Sequence, residues 1–478
     1  MIRTKGSMTI FSLLSLLLVM AALFALLEGT RYQEIRRFAQ LQTDTALESA
    51  FSNYNQDLWQ QYRLLGMNMC EAEDILLQVA EAKSEGNGIN LLRFDVQSAE
   101  ISRRTLLTDE EGAVFLKSVS SYMKDNVLYE AAKGIYNQYE SIRQLLHENG
   151  MDLEKIDEAL LELDRLEQEA PRSKGMSRKL VGAEVLKKAQ AWKEDFSLGL
   201  FIEDTSKLSG SKVSLKNDLF HRKLRLGDAG DVEEVNWLDR ILLQQYLLTY
   251  LSNYESNIEE HALTYEAEYL LGRSASDKEN LMSVILRILA IREAANFISL
   301  LSDPVKVQQA QSLALTIGGA SLNPVILEMI HIAILTAWAL GESILDVRGL
   351  LIGKRIPLIK SNDLWTLKLE DISLLNEKFI TSKDSKTGIK YIDYLGLLLL
   401  FEEEQQLAMR TMNVQEMTIR KVSGNVTFGM DSLIVEAEAT INYGYRAIFP
   451  FLSVIDAEER WRYEVHSKRK YGYYERGV

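Results

Sequence analysis

Two apolar runs of this chain carry polar residues at helical spacing. Arg287, Arg292, Glu293 and Asn296 lie within NLMSVILRILAIREAANF (280–297), and Trp338, Glu342, Asp346 and Arg348 within AWALGESILDVRGLL (337–351). A charge in such surroundings needs an opposite charge or a full set of hydrogen bonds. Two arrangements satisfy that need. Guanidinium and carboxylate groups can pair between helices inside a core, which is their ordinary fate. Alternatively Arg292, Glu293, Glu342 and Asp346 can line a groove for a peptide or glycan, with Trp338 as its platform.

Other chemistry is sparse in the sequence. His147, His221, His261, His331 and His466 are far apart and form no H-E-x-x-H spacing, and the single cysteine, Cys70, excludes an internal disulfide or a thiolate metal cluster. There is no G-x-S-x-G elbow, P-loop or G-x-G-x-x-G motif. No catalytic residue, cofactor or metal ligand is therefore expected, and the chain does not read as an enzyme. With 54 basic against 68 acidic residues the net charge is −14, which argues against nucleic acid as a partner.

The elements that must hold the polar residues are mostly helical. Between about 106 and 410 helix starts can be named: Ser276-Asp277-Lys278-Glu279 has capping-box spacing, and Asp303-Pro304 and Asn323-Pro324 each set a capping side chain before a first-turn proline. Leu153, Ile156, Leu160, Leu163 and Leu166 form one stripe in 151–169, the pattern of a helical hairpin arm or short coiled coil. Residues 203–231, rich in Ser, Gly, Lys and Asp, read as a mobile loop. Residues 324–340 are apolar but short for a membrane crossing and carry Glu328 and His331, so a buried core helix is expected. Past 410 the period becomes two. Leu433, Val435, Ala437, Ala439, Ile441 and Tyr443 alternate with polar residues, with Val426, Phe428 and Met430 continuing the theme upstream and Trp461, Tyr463 and Val465 downstream. An earlier strand candidate, 92–96, lies on the far side of the helical block. A sheet taking a strand from each side would make that block an insertion.

Residues 8–27, MTIFSLLSLLLVMAALFALL, cover about 30 Å as a helix, the thickness of a hydrocarbon core. The run is longer than the roughly 7–15 residues of a signal-peptide core, and no A-x-A site follows it. It reads as a retained anchor. Arg3 and Lys5 before it and Arg31, Arg36 and Arg37 after it leave orientation open. From Thr30 to Leu65 neither Pro nor Gly occurs, and a helix over 8–65 would reach about 85 Å as a stalk, with Gly29 the place for a bend. The basic, aromatic end ERWRYEVHSKRKYGYYERG (459–477) suits either a final strand with a solvated tail or a contact with lipid headgroups or cell-wall polymers.

Lys5-Gly6-Ser7 before the apolar helix, Glu28-Gly29-Thr30-Arg31 after it, and the stretch from Ala437 to Tyr445 with Phe449-Pro450-Phe451 resemble TadE- and TadG-like pilin-like proteins of Tad (Flp) pili. Over most of its length the chain, with YEAEYLL (265–271) and the two apolar runs above, is similar to an uncharacterised Gram-positive family associated with Tad-type genes. The resemblance implies cleavage between Gly6 and Ser7, although Phe11 stands where such proteins carry a glutamate. It also implies a cytoplasmic start and an extracytoplasmic remainder at the cell membrane. The expected fold is α+β and predominantly α: a stub (1–7), a transmembrane helix (8–28), a stalk and first strand (29–105), a helical insertion (106–410) and a β-rich end (411–478). The expected partners are the lipid bilayer and other pilin-like or Tad assembly proteins, in a structural or assembly role. The alternative is a membrane-tethered module binding a peptide, glycan or cell-wall ligand.

Overall fold

The computed structural model describes residues 5–84, 94–126, 196–230, 236–318, 324–375, 378–446 and 462–474, with Asn137, Glu140 and Gln144. The chain is predominantly α with one small antiparallel sheet, an α+β protein. It divides into two compact units: unit 1 comprises 1–122, 222–234 and 425–478, and unit 2 comprises 123–221 and 235–424. The heptad-like stripe of 151–169 and Phe449-Pro450-Phe451 lie outside the described residues.

Unit 1 is built on one long helix, α1 (Lys5–Phe51), of 47 residues and therefore about 70 Å. Its first half, from Met8 to Leu23, is exposed along every face. It passes through Gly29 without a break, so the bend expected there is absent. Local bonds bracket that glycine: Thr30 Oγ1 donates to Leu27 O at 2.9 Å, and Arg31 pairs with Glu28 at 2.7 Å. The stalk expected to reach residue 65 is shorter. Asn53 donates back to Ser49 O, and Asn55 accepts from Leu58 N at 2.8 Å as the cap of a new short helix, α2 (Gln56–Tyr62). The chain then forms β1 (Met67–Asn68), α3 (Met69–Ser84), β2 (Phe94–Leu106) and α4 (Ala113–Asn126).

The second half of α1 is core, not free stalk. Ile35, Ala39, Ala46 and Ala50 are fully buried with Leu76 and Ala80 of α3 against the sheet. Alanines on the contact face let the helix lie close to the strands. β3 (Leu433–Arg446) is the central strand: β2 pairs along one edge, while β1 and β4 (Arg462–Gly472) share the other, all antiparallel. Ala437, Ala439, Ile441 and Tyr443 face the helices, and Glu436, Glu438, Thr440 and Asn442 face away. Tyr443 Oη meets Thr43 Oγ1 at 3.0 Å, joining α1 to the sheet. The period of two starts later than expected, since Val426 is exposed and 425–432 forms a turn and a short 3₁₀ segment. Asn425 accepts from Thr427 N and breaks the extended backbone there.

Unit 2 holds α5 (Leu198–Phe201), α6 (Trp237–Tyr250), α7 (Glu266–Gly272), α8 (Asp277–Leu301), α9 (Pro304–Gly318), α10 (Pro324–Leu351), α11 (Tyr391–Phe401) and α12 (Glu404–Ser423). Helix therefore continues beyond 410, ending where Gly424 adopts φ 69°. α8 packs along α10, whose apolar part (Ile330–Leu351) is mostly buried, as a core helix should be. Asp303 caps α9 by accepting from Val305 N at 3.0 Å. The boundary of α8 falls where expected, but Ser276 makes no capping bond: the Asp277 carboxylate instead accepts from Thr264 N, Tyr265 N and Ser209 Oγ.

Residues 203–230, expected as a mobile loop, lack long elements yet are pinned by hydrogen bonds. In unit 2, Asp218 accepts from Phe220 N and His221 N, and Leu219 N donates to Asn413. In unit 1, Arg222 pairs with Asp431 at 2.7 Å, Asp228 N donates to Arg104 O, and Gly227 N donates to Asp109 at 2.8 Å. A Cβ on Gly227 would fall 2.1 Å from Asp109 Oδ2 and 2.7 Å from Arg104 O, so glycine is required by close approach rather than for freedom.

Candidate functional site

Arg292 and Asp346 meet at the centre of unit 2, both wholly buried. On α8, Arg292 is one residue from Glu293, about 100° around the helix. Arg292 faces the core and Glu293 is only half-buried. The guanidinium gives Nε and Nη2 to Asp346 Oδ2 at 3.0 and 2.8 Å, and Nη1 to the carbonyls of Pro357 and Leu358 at 2.9 and 2.8 Å. It also reaches Tyr394 Oη and Asn296 Oδ1, each at 3.3 Å. Asn296 returns its Nδ2 to Ser343 Oγ and Asp346 Oδ2.

The second cation of this network is Lys360. Its ammonium lies 2.5 Å from Asp346 Oδ1 and bonds Glu342 Oε1 and Ser382 Oγ. Glu342 also accepts from Thr366 N at 3.1 Å and Leu367 N at 2.7 Å. Two cations thus face two carboxylates, joining α8 and α10 to the segments around 357–367 and 382. Burial, the largest single influence, would lower the Arg292 pKa, but Asp346 and Tyr394, by charge and by hydrogen bonding together, outweigh it and raise it. Burial would raise Asp346, and Arg292 and Lys360 more than offset that, holding it below the usual range. At Glu342 burial prevails over Lys360 and the pKa is raised.

Trp338 belongs to the same core. Its Nε1 donates to Leu367 O at 2.9 Å, Trp365 Nε1 donates to the same oxygen at 2.8 Å, and the rings meet edge-on at 6.0 Å. At 2% exposure Trp338 presents no platform to solvent. Arg348 gives its guanidinium to the carbonyls of Leu200, Ile380 and Leu375, and burial lowers its pKa to about 10. Arg287 lies apart from this cluster, paired with Glu402 at 2.9 Å. The arrangement cross-links helices and loops; no member offers an exposed reacting atom.

Sequence reasoning missed Lys360, although it follows the apolar run Ile356-Pro357-Leu358-Ile359 and so carried the same signal as Arg292. A second polar cluster was missed as well. In YEAEYLL, Glu266 and Glu268 are both fully buried. Glu266 meets His261 Nδ1 at 2.6 Å and accepts from Thr418 Oγ1 at 2.8 Å and Ser252 N at 3.1 Å. Glu268 accepts from Tyr391 Oη at 2.7 Å and Tyr254 N at 2.9 Å on one oxygen, and the other oxygen has no hydrogen-bond partner. Burial raises its pKa to about 7.

The remaining candidates are dispersed. Gly6 and Ser7 lie in the first turns of α1. His221 pairs with Asp218 at 2.7 Å, His331 is 3.5 Å from Glu328, and His466 meets Asn442 at 2.5 Å, while His147 lies outside the described residues. Among the described residues no group of three or more His, Cys, Asp or Glu could hold a metal ion. The basic, aromatic C-terminal stretch is already engaged within unit 1. Lys468 pairs with Glu438, Lys470 with Glu436 and Arg469 with Asp44, at 2.9, 3.0 and 3.1 Å. Tyr473 Oη donates to Phe51 O at 2.6 Å, and Tyr474 Oη accepts from Leu65 N at 2.8 Å.

Neither a curated protein nor a solved structure matches the chain. A family model does match residues 177–445, which include both buried networks and nearly all of β3. Because that match covers more than half of the sequence, the chain belongs to the family of unknown function DUF5702.

Proposed function

We propose that the chain is a single-pass, membrane-anchored, non-enzymatic protein of pilin-like type, a structural or assembly component of a Tad-type pilus or secretion machine with both units outside the cytoplasm. The observation that carries this reading is the division of α1. Its apolar first half is exposed on all faces, and its second half forms the helical core of an antiparallel sheet unit. Solvent exposure of side chains such as Leu14 and Leu18 is costly in water, at roughly 25 cal/mol per Å², so that half requires lipid or neighbouring helices. An unbroken helix also couples whatever the apolar half packs against to the folded unit. The closed networks of unit 2 support a structural rather than a catalytic role.

Site-specific photocrosslinking tests the reading. With a photoreactive residue at Leu13 or Leu17 of the full chain in its native membrane, adducts to apolar helices of pilin-like or assembly proteins are expected. Adducts to lipid alone would contradict an assembly role. The second reading, a tethered binding module, is favoured by a groove of about 450 Å³ along α9 lined by Val305, Gln308, Ser312, Leu313, Leu369 and Glu370. Peptide and glycan arrays probed with the full chain in nanodiscs would reveal such binding.

A further inference from the structure

Three parts of unit 1 that are far apart in sequence close around one small pocket: the first turns of α4, the end of the 222–230 segment, and the start of β3 with the end of β4. Thr105, Glu436 and Gly472 stand in one row across β2, β3 and β4. The glycine leaves space that the Glu436 side chain takes, since a Cβ at 472 would lie 3.2 Å from Glu436 Cγ. Thr105 Oγ1 donates to Glu436 Oε1 at 3.3 Å, and Lys470 Nζ lies 3.0 Å from the same oxygen. The one carboxylate of the lining is therefore already met by a cation.

The rest of the lining supplies donors. Val114, Lys117 and Ser118 share a face of α4 at spacings of three and four. Lys117 is exposed and has no hydrogen bond or ion pair among the described residues. Ala229 and Gly230 also line the pocket, and their amides have no acceptor among the described residues. They are held in place because Gly227 N donates to Asp109 at 2.8 Å and Asp228 N to Arg104 O at 2.6 Å. Tyr474, fixed by the bond from Leu65 N to its hydroxyl at 2.8 Å, closes the lining.

Two ammonium groups thus stand against one carboxylate, a local surplus of positive charge in a chain whose net charge is −14. The space is about 180 Å³, below the roughly 300–1,000 Å³ of pockets for drug-sized ligands, and it suits a group of a few atoms. We propose that this pocket binds a small oxyanion, a carboxylate or phosphate group, with Lys117 as its charge partner and the 229–230 amides as hydrogen-bond donors. Backbone N–H groups and a lysine acting as a point charge are suited to such a group. The site belongs to unit 1 alone and does not depend on how α1 is anchored.

Lysine acylation of the full chain in nanodiscs tests it, read residue by residue by mass spectrometry in millimolar inorganic phosphate, acetate or chloride at matched ionic strength. The expected result is several-fold slower acylation of Lys117 and Lys470 in phosphate, acetate or both, with no slowing in chloride. Lys468, which pairs with Glu438 outside the pocket, should be unaffected. Slowing by one of the two anions alone would support the site and identify which group it takes. Lys117→Gln, an exposed substitution whose unchanged melting shows that the fold is kept, should abolish the protection of Lys470, and Lys117→Arg should retain it. Unchanged acylation in both anions would overturn the proposal, and equal slowing in chloride would reduce it to screening and do the same. Protection of Lys470 that survives Lys117→Gln would place the anion elsewhere and also overturn it.

Discussion

Replacing Arg292 by Met gives the sharpest test of whether the central network of unit 2 holds the fold. The side chain is fully buried and donates to Asp346 twice, to the carbonyls of Pro357 and Leu358, and to Tyr394 and Asn296. Methionine fits the stem but supplies none of these donors, leaving Lys360 alone against Glu342 and Asp346. Breaking a buried pair from one side costs about 3–5 kcal/mol, against the roughly 5–15 kcal/mol that holds a domain folded. Urea unfolding of the full chain in detergent, followed by circular dichroism and by tryptophan fluorescence to which Trp338 and Trp365 contribute, should show a loss of that size. The double variant Arg292→Met/Asp346→Leu restores charge balance around Lys360 and Glu342, and should be less destabilised than Arg292→Met alone. A change below about 1 kcal/mol in Arg292→Met, within the range of ordinary surface substitutions, would refute the structural assignment. Normal stability with loss of a bound peptide or glycan would point back to the groove.

Glu268 should make stability fall with rising pH. Its folded pKa of about 7 exceeds the ordinary glutamate value of 4.5, so the folded state keeps a proton that the unfolded chain releases. The stabilisation is complete below pH 4.5 and lost as pH rises through 7, a change of roughly 3 kcal/mol. Glu268→Gln should remove that part of the slope in urea titrations between about pH 4.5 and 8; an unchanged slope would reject it. Gly227→Ala should destabilise unit 1 by about 1–3 kcal/mol, because its Cβ collides with Asp109 and the Arg104 carbonyl, and a neutral effect on melting would show that the segment is not pinned. Tyr473→Phe should cost about 1 kcal/mol by removing the donor to Phe51 O, measured as a shift in the urea midpoint.

Periodicity made the main elements legible. The alternation from Leu433 to Tyr443 and the apolar run 8–27 have strong local signals, and the structure places a central strand and an exposed helix there. Arg292, Asp346, Glu342 and Trp338 stood out because their surroundings were apolar, and they converge in one core. What failed were features decided by long-range partners. Asp277 looked like part of a capping box, yet its carboxylate is consumed by the backbone of 264–265 and by Ser209. The 203–231 composition said loop, and nothing local could reveal that Asp431, Asp109 and Arg104 hold its second half. The basic, aromatic end read as a final strand with a solvated tail or a lipid contact; the strand is there, but nothing local showed that Tyr473 is held by Phe51, 422 residues earlier, or that Lys470 pairs with Glu436 on the neighbouring strand.

Cys70 allows a direct measurement on the unaltered protein. It is the only cysteine, exposed at the start of α3 within unit 1. A membrane-impermeant maleimide applied to intact cells, with any outer wall made permeable, should label it fully if the span at 8–27 is a tether with the folded part outside. Labelling that appears only after the membrane is lysed would place unit 1 in the cytoplasm and contradict the pilin-like arrangement.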